Sequence, residues 1–310
     1  MRRGLLWALG LVTAALFLFG ACGVGFLLGV AVGGTVAPFS APAVAVIEVT
    51  GPITSGEGDP FAGGMAGSAK IVRWIEQAAD DPRVRAIVLR IDSPGGDVTA
   101  ADEIYNAVVK AKAKEKKVVA SFGSMAASGG YYIAAPADRI VANPTSITGS
   151  IGVISVIPDV SGLLAKLGVE SYIFKSGPHK DSSSGLRPLT ESDRRIWQSI
   201  IDDVYERFIE VVAKGRGMDT ATVRALADGR ILTGRQALQV KLVDELGDLP
   251  EAIRTASELA GISGEPSILT YRDRGFFAAL ASSWLRPPWS GTMSALGLDV
   301  RAPVQYRLLP

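Results

Sequence analysis

Two glycine-rich segments carry the residues with chemical potential. One is Asp92-Ser93-Pro94-Gly95-Gly96, the other Ser124-Met125-Ala126-Ala127-Ser128-Gly129-Gly130-Tyr131-Tyr132. A Gly pair lets backbone amides come close to a ligand and point at an anion. Ser128 lies between Ala127 and Gly129, so little bulk shields its hydroxyl. A hydroxyl is a weak nucleophile until a base removes its proton, and bases are few here. The chain has one His, His179, and one Cys, Cys22. A Cys/His zinc site is thereby excluded, and so is an intrachain disulfide. Cys22 lies in a long apolar stretch, away from any polar site. Covalent chemistry must therefore use serine, with His179 or a lysine as base. Either Gly-rich segment alone reads first as a plain loop; both together, each behind a strand, point to a site.

The elements that must position these segments alternate along the chain. Residues 43–49, 84–91, 117–121, 139–142, 152–157 and 169–174 read as strands, being β-branched and apolar. Helical patterns fall between and after them. One starts with Ser68 as N-cap and carries Ile71, Val72, Ile75 and Ala78 on one side. Others cover about 99–113, 160–167, 191–214, 220–227, 234–240 and 249–260. Thr190 and Asp193 form a capping-box pattern, with Asp in place of the usual Glu, at the start of the long helix. Its apolar stripes, Ile196/Ile200/Val204/Phe208/Val211 and Trp197/Ile201/Tyr205, read as a broad core-facing surface rather than a subunit contact. Gly215 and Gly217 end it. The Lys-rich run 111–117 reads as a solvated helix end. Strands spaced by helices indicate an α/β fold.

Composition sets the outer bounds. The 310 residues suffice for one large domain or two small ones. A net charge of +1 lacks the basic footprint of a nucleic-acid binder. Mean hydropathy is +0.27, raised by an apolar N-terminus. After Arg2 and Arg3 the next charged residue is Glu48. The run from Gly4 to Val36 exceeds both the ~20 residues of a bilayer span and the apolar core of a signal peptide. Charge on its N-terminal side favours N-terminus inside and the rest outside. The expectation is an uncleaved single-pass anchor over 1–36, followed by a juxtamembrane linker at 37–42. A cleaved secretory signal and a lipoprotein signal ending at Cys22 are the alternatives, the latter with a poor lipobox. Residues 271–310 form an apolar, Pro-containing tail with no legible fold.

At this point the residues carry a resemblance. SPGG at 93–96, GSMAASGGYY at 123–132, TGSIGVI at 148–154 and SGPHKD at 176–181 resemble the bacterial signal peptide peptidase A family, also called protease IV. KGRGM at 214–218 and ADGRILTGRQALQVKLVDELG at 227–247 continue the match, which covers roughly 43–270 and resembles the family's short form. The resemblance implies a Clp protease/crotonase-like α/β fold behind an N-terminal transmembrane helix, with the peptidase domain at 43–270. It implies a Ser–Lys dyad, with Ser128 as nucleophile and Lys180 as general base. It further implies oxyanion donors at Gly96 and Gly129, and Ser150 as hydrogen-bonding support for the lysine.

Acyl transfer by such a dyad calls for no metal, nucleotide or other cofactor. A lysine serves as base near neutral pH only where dry surroundings disfavour its ammonium form. Asp181 would oppose this if it faced Lys180, so it is expected to point away. His179 is the rival base. Met125 and Ile151 are candidates to line specificity pockets. The substrates implied are remnant signal peptides and other apolar peptides. The implied location is the bacterial cytoplasmic membrane, with the catalytic domain on its extracytoplasmic side. Short-form members imply a homo-oligomeric ring with Ser and Lys of each site from adjacent chains. Other readings are a protease of the same fold with a regulatory membrane-protein target, a crotonase-like acyl-CoA enzyme, and a catalytically silent scaffold.

Overall fold

The structure, a computed structural model, describes residues 41–58 and 64–272. The expected anchor at 1–36, most of the linker and the tail from 273 onward lie outside the described residues. Among the described residues no helix is long and apolar enough to cross a membrane.

A parallel sheet organises the chain. In sequence the elements are β1 (Ala43–Thr50), β2 (Ile53–Thr54), β3 (Ala66–Gly67), α1 (Ser68–Asp80), β4 (Val84–Ser93), α2 (Val98–Ala113), β5 (Lys117–Ala127) and α3 (Gly129–Ala134). Then follow β6 (Arg139–Ala142), β7 (Ile147–Gly149), α4 (Ser161–Lys166), α5 (Glu191–Arg216), α6 (Thr220–Leu226) and β8 (Ile231–Thr233). The series closes with α7 (Gly234–Gln239), β9 (Glu245–Leu246), α8 (Leu249–Leu259) and β10 (Ser267–Tyr271). The sheet runs β10-β1-β4-β5-β6-β9, and every neighbour in that path is parallel. β7 joins the far end of β5, and β8 pairs antiparallel with β7.

The central strands read as continuous apolar runs because both faces of the sheet are covered. Ile47, Val49, Leu89, Ile91, Ala120 and Phe122 point into the larger core, shared with α1, α2 and α3. Val44, Val46, Ala86, Val88 and Val119 point the other way, where Ala252 and Ala256 of α8 cover them. The α1 stripe is as expected, with Ile71, Ile75 and Ala78 buried, but its N-cap is Gly67 rather than Ser68. Ser68 is instead buried and donates to Glu103 at 2.5 Å.

Two expected strands do not form. Residues 152–157 and 169–174 have no regular structure, and none of the sheet's strands pairs with them. Apolar β-branched residues favour a strand only where a pleated partner surface receives them. Here Ile154, Val156, Tyr172 and Phe174 are exposed, Phe174 at 96%. The short α4 between them buries none of its residues. The long helix α5 differs from expectation in a related way. Its capping box forms as read, but Ile196 and Ile200 are exposed, and burial of its apolar stripe begins only at Phe208. The N-terminal half of the stripe is therefore not core-facing within this chain.

Candidate active site

The candidate site lies at the C-terminal ends of β4 and β5, where ligands meet open parallel sheets. β4 ends at Ser93, whose hydroxyl accepts from the Gly95 amide at 3.1 Å. The next residues lie along β2: Ile53 N–H donates to Gly95 at 2.8 Å and Asp97 N–H to the Ile53 carbonyl at 2.9 Å. This leaves the Gly96 amide facing away from Ile53. Glycine is required at both positions of the turn, with φ of +95° and +154°. A Cβ at Gly95 would lie 2.6 Å from the Gly129 amide nitrogen, and one at Gly96 2.1 Å from the Ile53 carbonyl oxygen. Asp97 then caps α2 through the Ala100 amide at 2.7 Å.

β5 ends one residue before Ser128, which turns the chain sharply into α3 with φ +51° and ψ −121°. A non-glycine residue there stores about 1–3 kcal/mol of strain and persists only if its surroundings hold it. They do so from three sides. The Ser128 amide donates to the Gly149 carbonyl at 2.9 Å, and the amides of Tyr131 and Tyr132 donate to the Ser128 carbonyl at 2.9 Å each. Both tyrosines anchor α3: Tyr131 Oη donates to the Leu242 carbonyl at 2.8 Å and Tyr132 Oη to Asp102 at 2.5 Å. Burial pushes both phenols above their ordinary range, so they remain protonated donors.

The half-buried Ser128 hydroxyl has no hydrogen-bond partner among the described residues. Nor does the amide of Gly96 or of Gly129. Gly129 is buried, and a buried amide without an acceptor is rare in native proteins. The two amides are close neighbours, since a Cβ built on Gly129 would lie 3.3 Å from the Gly96 nitrogen. The arrangement offers two free N–H groups beside one free hydroxyl, which suits attack of that hydroxyl on a carbonyl whose oxygen becomes an oxyanion held by the two amides.

Ser150 enters the same place from β7. Ala127 pairs with Gly149, so Ser128 and Ser150 leave adjacent parallel strands together. Ser150 also has positive φ, +50°, and its amide donates to the Arg230 carbonyl at 2.8 Å. Sequence alone did not reveal this adjacency, because the three-residue β7 is too short to give a periodic signal. Of the two pocket candidates, Met125 is half-buried at the end of β5, whereas Ile151 is 1% exposed and part of the main core. Ile151 therefore cannot line an open pocket.

Lys180 is not bonded to this group. It lies in a turn-rich stretch after the unpaired segments, its side chain is exposed, and no hydrogen bond joins it to Ser128 or Ser150. The flanking side chains are fixed instead. Asp181 accepts from Lys175 at 2.8 and 2.9 Å and from a two-pronged Arg187 at 2.7 and 2.9 Å. Among the described residues its ion pairs are with Lys175 and Arg187, and none is with Lys180. Arg187 and then Lys175 hold the Asp181 carboxyl well below the usual carboxylate range. His179 Nδ1 lies 2.6 Å from Oδ1 of the buried Asp193, so the rival base is engaged with a helix-capping carboxylate and not with Ser128. The sequence reading missed Arg187, Asp193 and Lys175. Only the Thr190–Asp193 cap was a signal, and it pointed to a helix start rather than to a loop built around an arginine.

Comparison with known proteins fits this geometry. The profile of Peptidase family S49 matches residues 110–263, and that of Clp protease matches 68–147, which contains both Gly-rich segments. A Synechocystis sp. protein named as a protease is 43% identical over 219 residues, covering 71% of this chain and 75% of its own length. An Enterococcus faecium protein named as signal peptide peptidase SppA is 36% identical over 242 residues, covering 77% of this chain and 69% of its own length. Protease 4 of Salmonella typhi is 41% identical over 217 residues, 70% of this chain, which spans only about a third (34%) of that longer protein. With a mixed α/β fold, a parallel sheet and relatives of this kind, the chain belongs to peptidase family S49 and is a serine peptidase.

Proposed function

We propose that this peptidase is a membrane-anchored endopeptidase that cleaves remnant signal peptides and other apolar peptides with a Ser–Lys dyad. The observation that carries the reading is the free Ser128 hydroxyl beside the unpartnered amides of Gly96 and Gly129. Lys180 takes the Ser128 proton, and Oγ attacks the scissile carbonyl. The two amides hold the resulting oxyanion, an effect worth roughly 3–4 kcal/mol per donor in enzymes of this type. The lysine ammonium, hydrogen-bonded by Ser150, gives its proton to the leaving amine. Water then repeats the sequence on the acyl-enzyme. The apolar segment at 4–36 anchors the chain in the cytoplasmic membrane with its catalytic part outside.

The dyad is completed between copies of the chain. Lys180 is exposed and does not bond to Ser128 in its own chain. The segments around it display Ile154, Val156, Leu163, Leu167, Tyr172 and Phe174, and the nearby start of α5 adds Ile196 and Ile200. So many exposed large apolar residues mark an interaction surface. A head-to-tail ring of identical chains covers them and brings Lys180 of one chain to Ser128 of the next. Burial in that interface supplies the dry surroundings a lysine base needs. Fluorophosphonate labelling tests the nucleophile directly: the adduct is expected on Ser128, as mapped by peptide sequencing. An adduct on another serine would overturn the reading.

A further inference from the structure

We infer that Arg187 is a positioning residue that sets the place of Lys180 by bridging two carboxylates across the turn that carries it. This rests on the reading of Lys180 as base. Lys180 lies between His179 and Asp181, and one guanidinium governs both neighbours. Its Nε and Nη2 grip Asp181 at 2.9 and 2.7 Å, while Nη1 donates to Asp193 at 2.7 Å. Asp193 in turn holds His179 at 2.6 Å. The same guanidinium reaches back to the Pro188 carbonyl at 3.0 Å. The side chains of Asp181 and Asp193 are 7% and 0% exposed, so the bridge is shielded from water even though the surrounding segment is open.

The geometry suits arginine and no other residue. A planar fork satisfies one carboxylate with two parallel bonds and still has a nitrogen for the second. Lysine offers a single point charge and can grip only one of the two firmly. Asp193 is pinned at the first turn of α5 by Thr190, whose amide and hydroxyl donate to it at 3.0 and 2.7 Å. The bridge therefore ties the Lys180 turn to the start of a 26-residue helix rather than to another loop. It also occupies Asp181 with Arg187 and Lys175, so the carboxylate next in sequence is not left to pair with the Lys180 ammonium. A segment with few buried residues is thereby given one rigid point, directly beside Lys180.

The test measures hydrolysis of an activated peptide ester by the full chain and by Arg187→Ala, Arg187→Lys, Asp181→Asn and Lys180→Ala. A misplacement of about 1 Å costs on the order of a hundredfold in rate, so Arg187→Ala is expected to lower kcat ten- to hundredfold with KM unchanged. Arg187→Lys should recover part of that loss. On the low residual hydrolysis of the activated ester that Lys180→Ala retains, adding Arg187→Ala should cost nothing further, because it acts only through the lysine. Asp181→Asn removes one end of the bridge at constant size, and should lower kcat even if Arg187→Ala does not fold. Three results would overturn the inference: wild-type kcat in both Arg187→Ala and Asp181→Asn, a loss confined to KM, or an equal further loss in the Lys180→Ala background. An active Lys180→Ala enzyme would instead refute the dyad itself.

Discussion

Ser128 and Ser150 stand at the ends of neighbouring parallel strands, and both hold positive φ. The Ser128 amide donates to the carbonyl of Gly149, the residue before Ser150, at 2.9 Å. Strained backbone at two adjacent serines persists because the β5–β7 pairing, the Gly95–Gly96 turn and α3 jointly over-determine it. The Ser128 hydroxyl makes no capping bond to its own helix.

The nucleophile assignment yields the first expectation. Ser128→Ala should lower peptide hydrolysis at least about a thousandfold with an unchanged circular dichroism spectrum. Ser124→Ala, at an exposed position of β5, should change it little. Equal losses at the two positions would reject the assignment.

For the base, Lys180→Ala should be inactive while His179→Ala keeps more than about a tenth of wild-type activity. The His179 ring makes one bond among the described residues, to Asp193, and Arg187 and Thr190 hold that carboxylate without it. The two single variants need only be assayed on the same apolar peptide. Abolition by His179→Ala alongside an active Lys180→Ala would reverse the roles.

Much of this arrangement was legible in the sequence because it is local. The Gly pairs, the small neighbours of Ser128 and the alternation of strands and helices all read from short windows. What was not legible depends on partners distant in the chain. β7 and β9 are three and two residues long and exist only because β5 and β6 receive them. Residues 152–157 and 169–174 have strand composition but find no edge within one chain, so they stay irregular. The α5 stripe is periodic along its length, yet periodicity does not tell which half meets the core. Arg187 was invisible for the opposite reason: charged residues in a turn look solvated until their carboxylate partners are seen together.

Acid should weaken the turn around Lys180. Arg187, then His179 and Thr190, hold the Asp193 carboxyl far below its ordinary range. A carboxylate whose native pKa is depressed stabilises the fold fully above its unfolded pKa of about 3.9, and loses that contribution as pH falls through the native value. Asp193→Asn should therefore lower the thermal midpoint at pH 7, and the gap from wild type should narrow below about pH 4. Thermal melts at several pH values would check this. A gap that stays constant down to pH 2 would mean that the charge of Asp193 contributes nothing.

The shared site makes the most demanding prediction. If Ser128 comes from one chain and Lys180 from the next, two inactive variants can repair each other. Ser128→Ala supplies an intact lysine, and Lys180→Ala supplies an intact serine. In a closed head-to-tail ring each site draws its serine from one chain and its lysine from the neighbour in a fixed direction. With equal amounts randomly mixed, the chance of an intact serine is one half, and so is the chance of an intact lysine beside it. About one site in four should then recover wild-type activity. Separate dissociation and reassembly of each variant alone should recover none. Mixing must be verified independently, for example by co-purification through a tag carried on one variant only. Verified mixed rings without activity would place both residues of each dyad in the same chain.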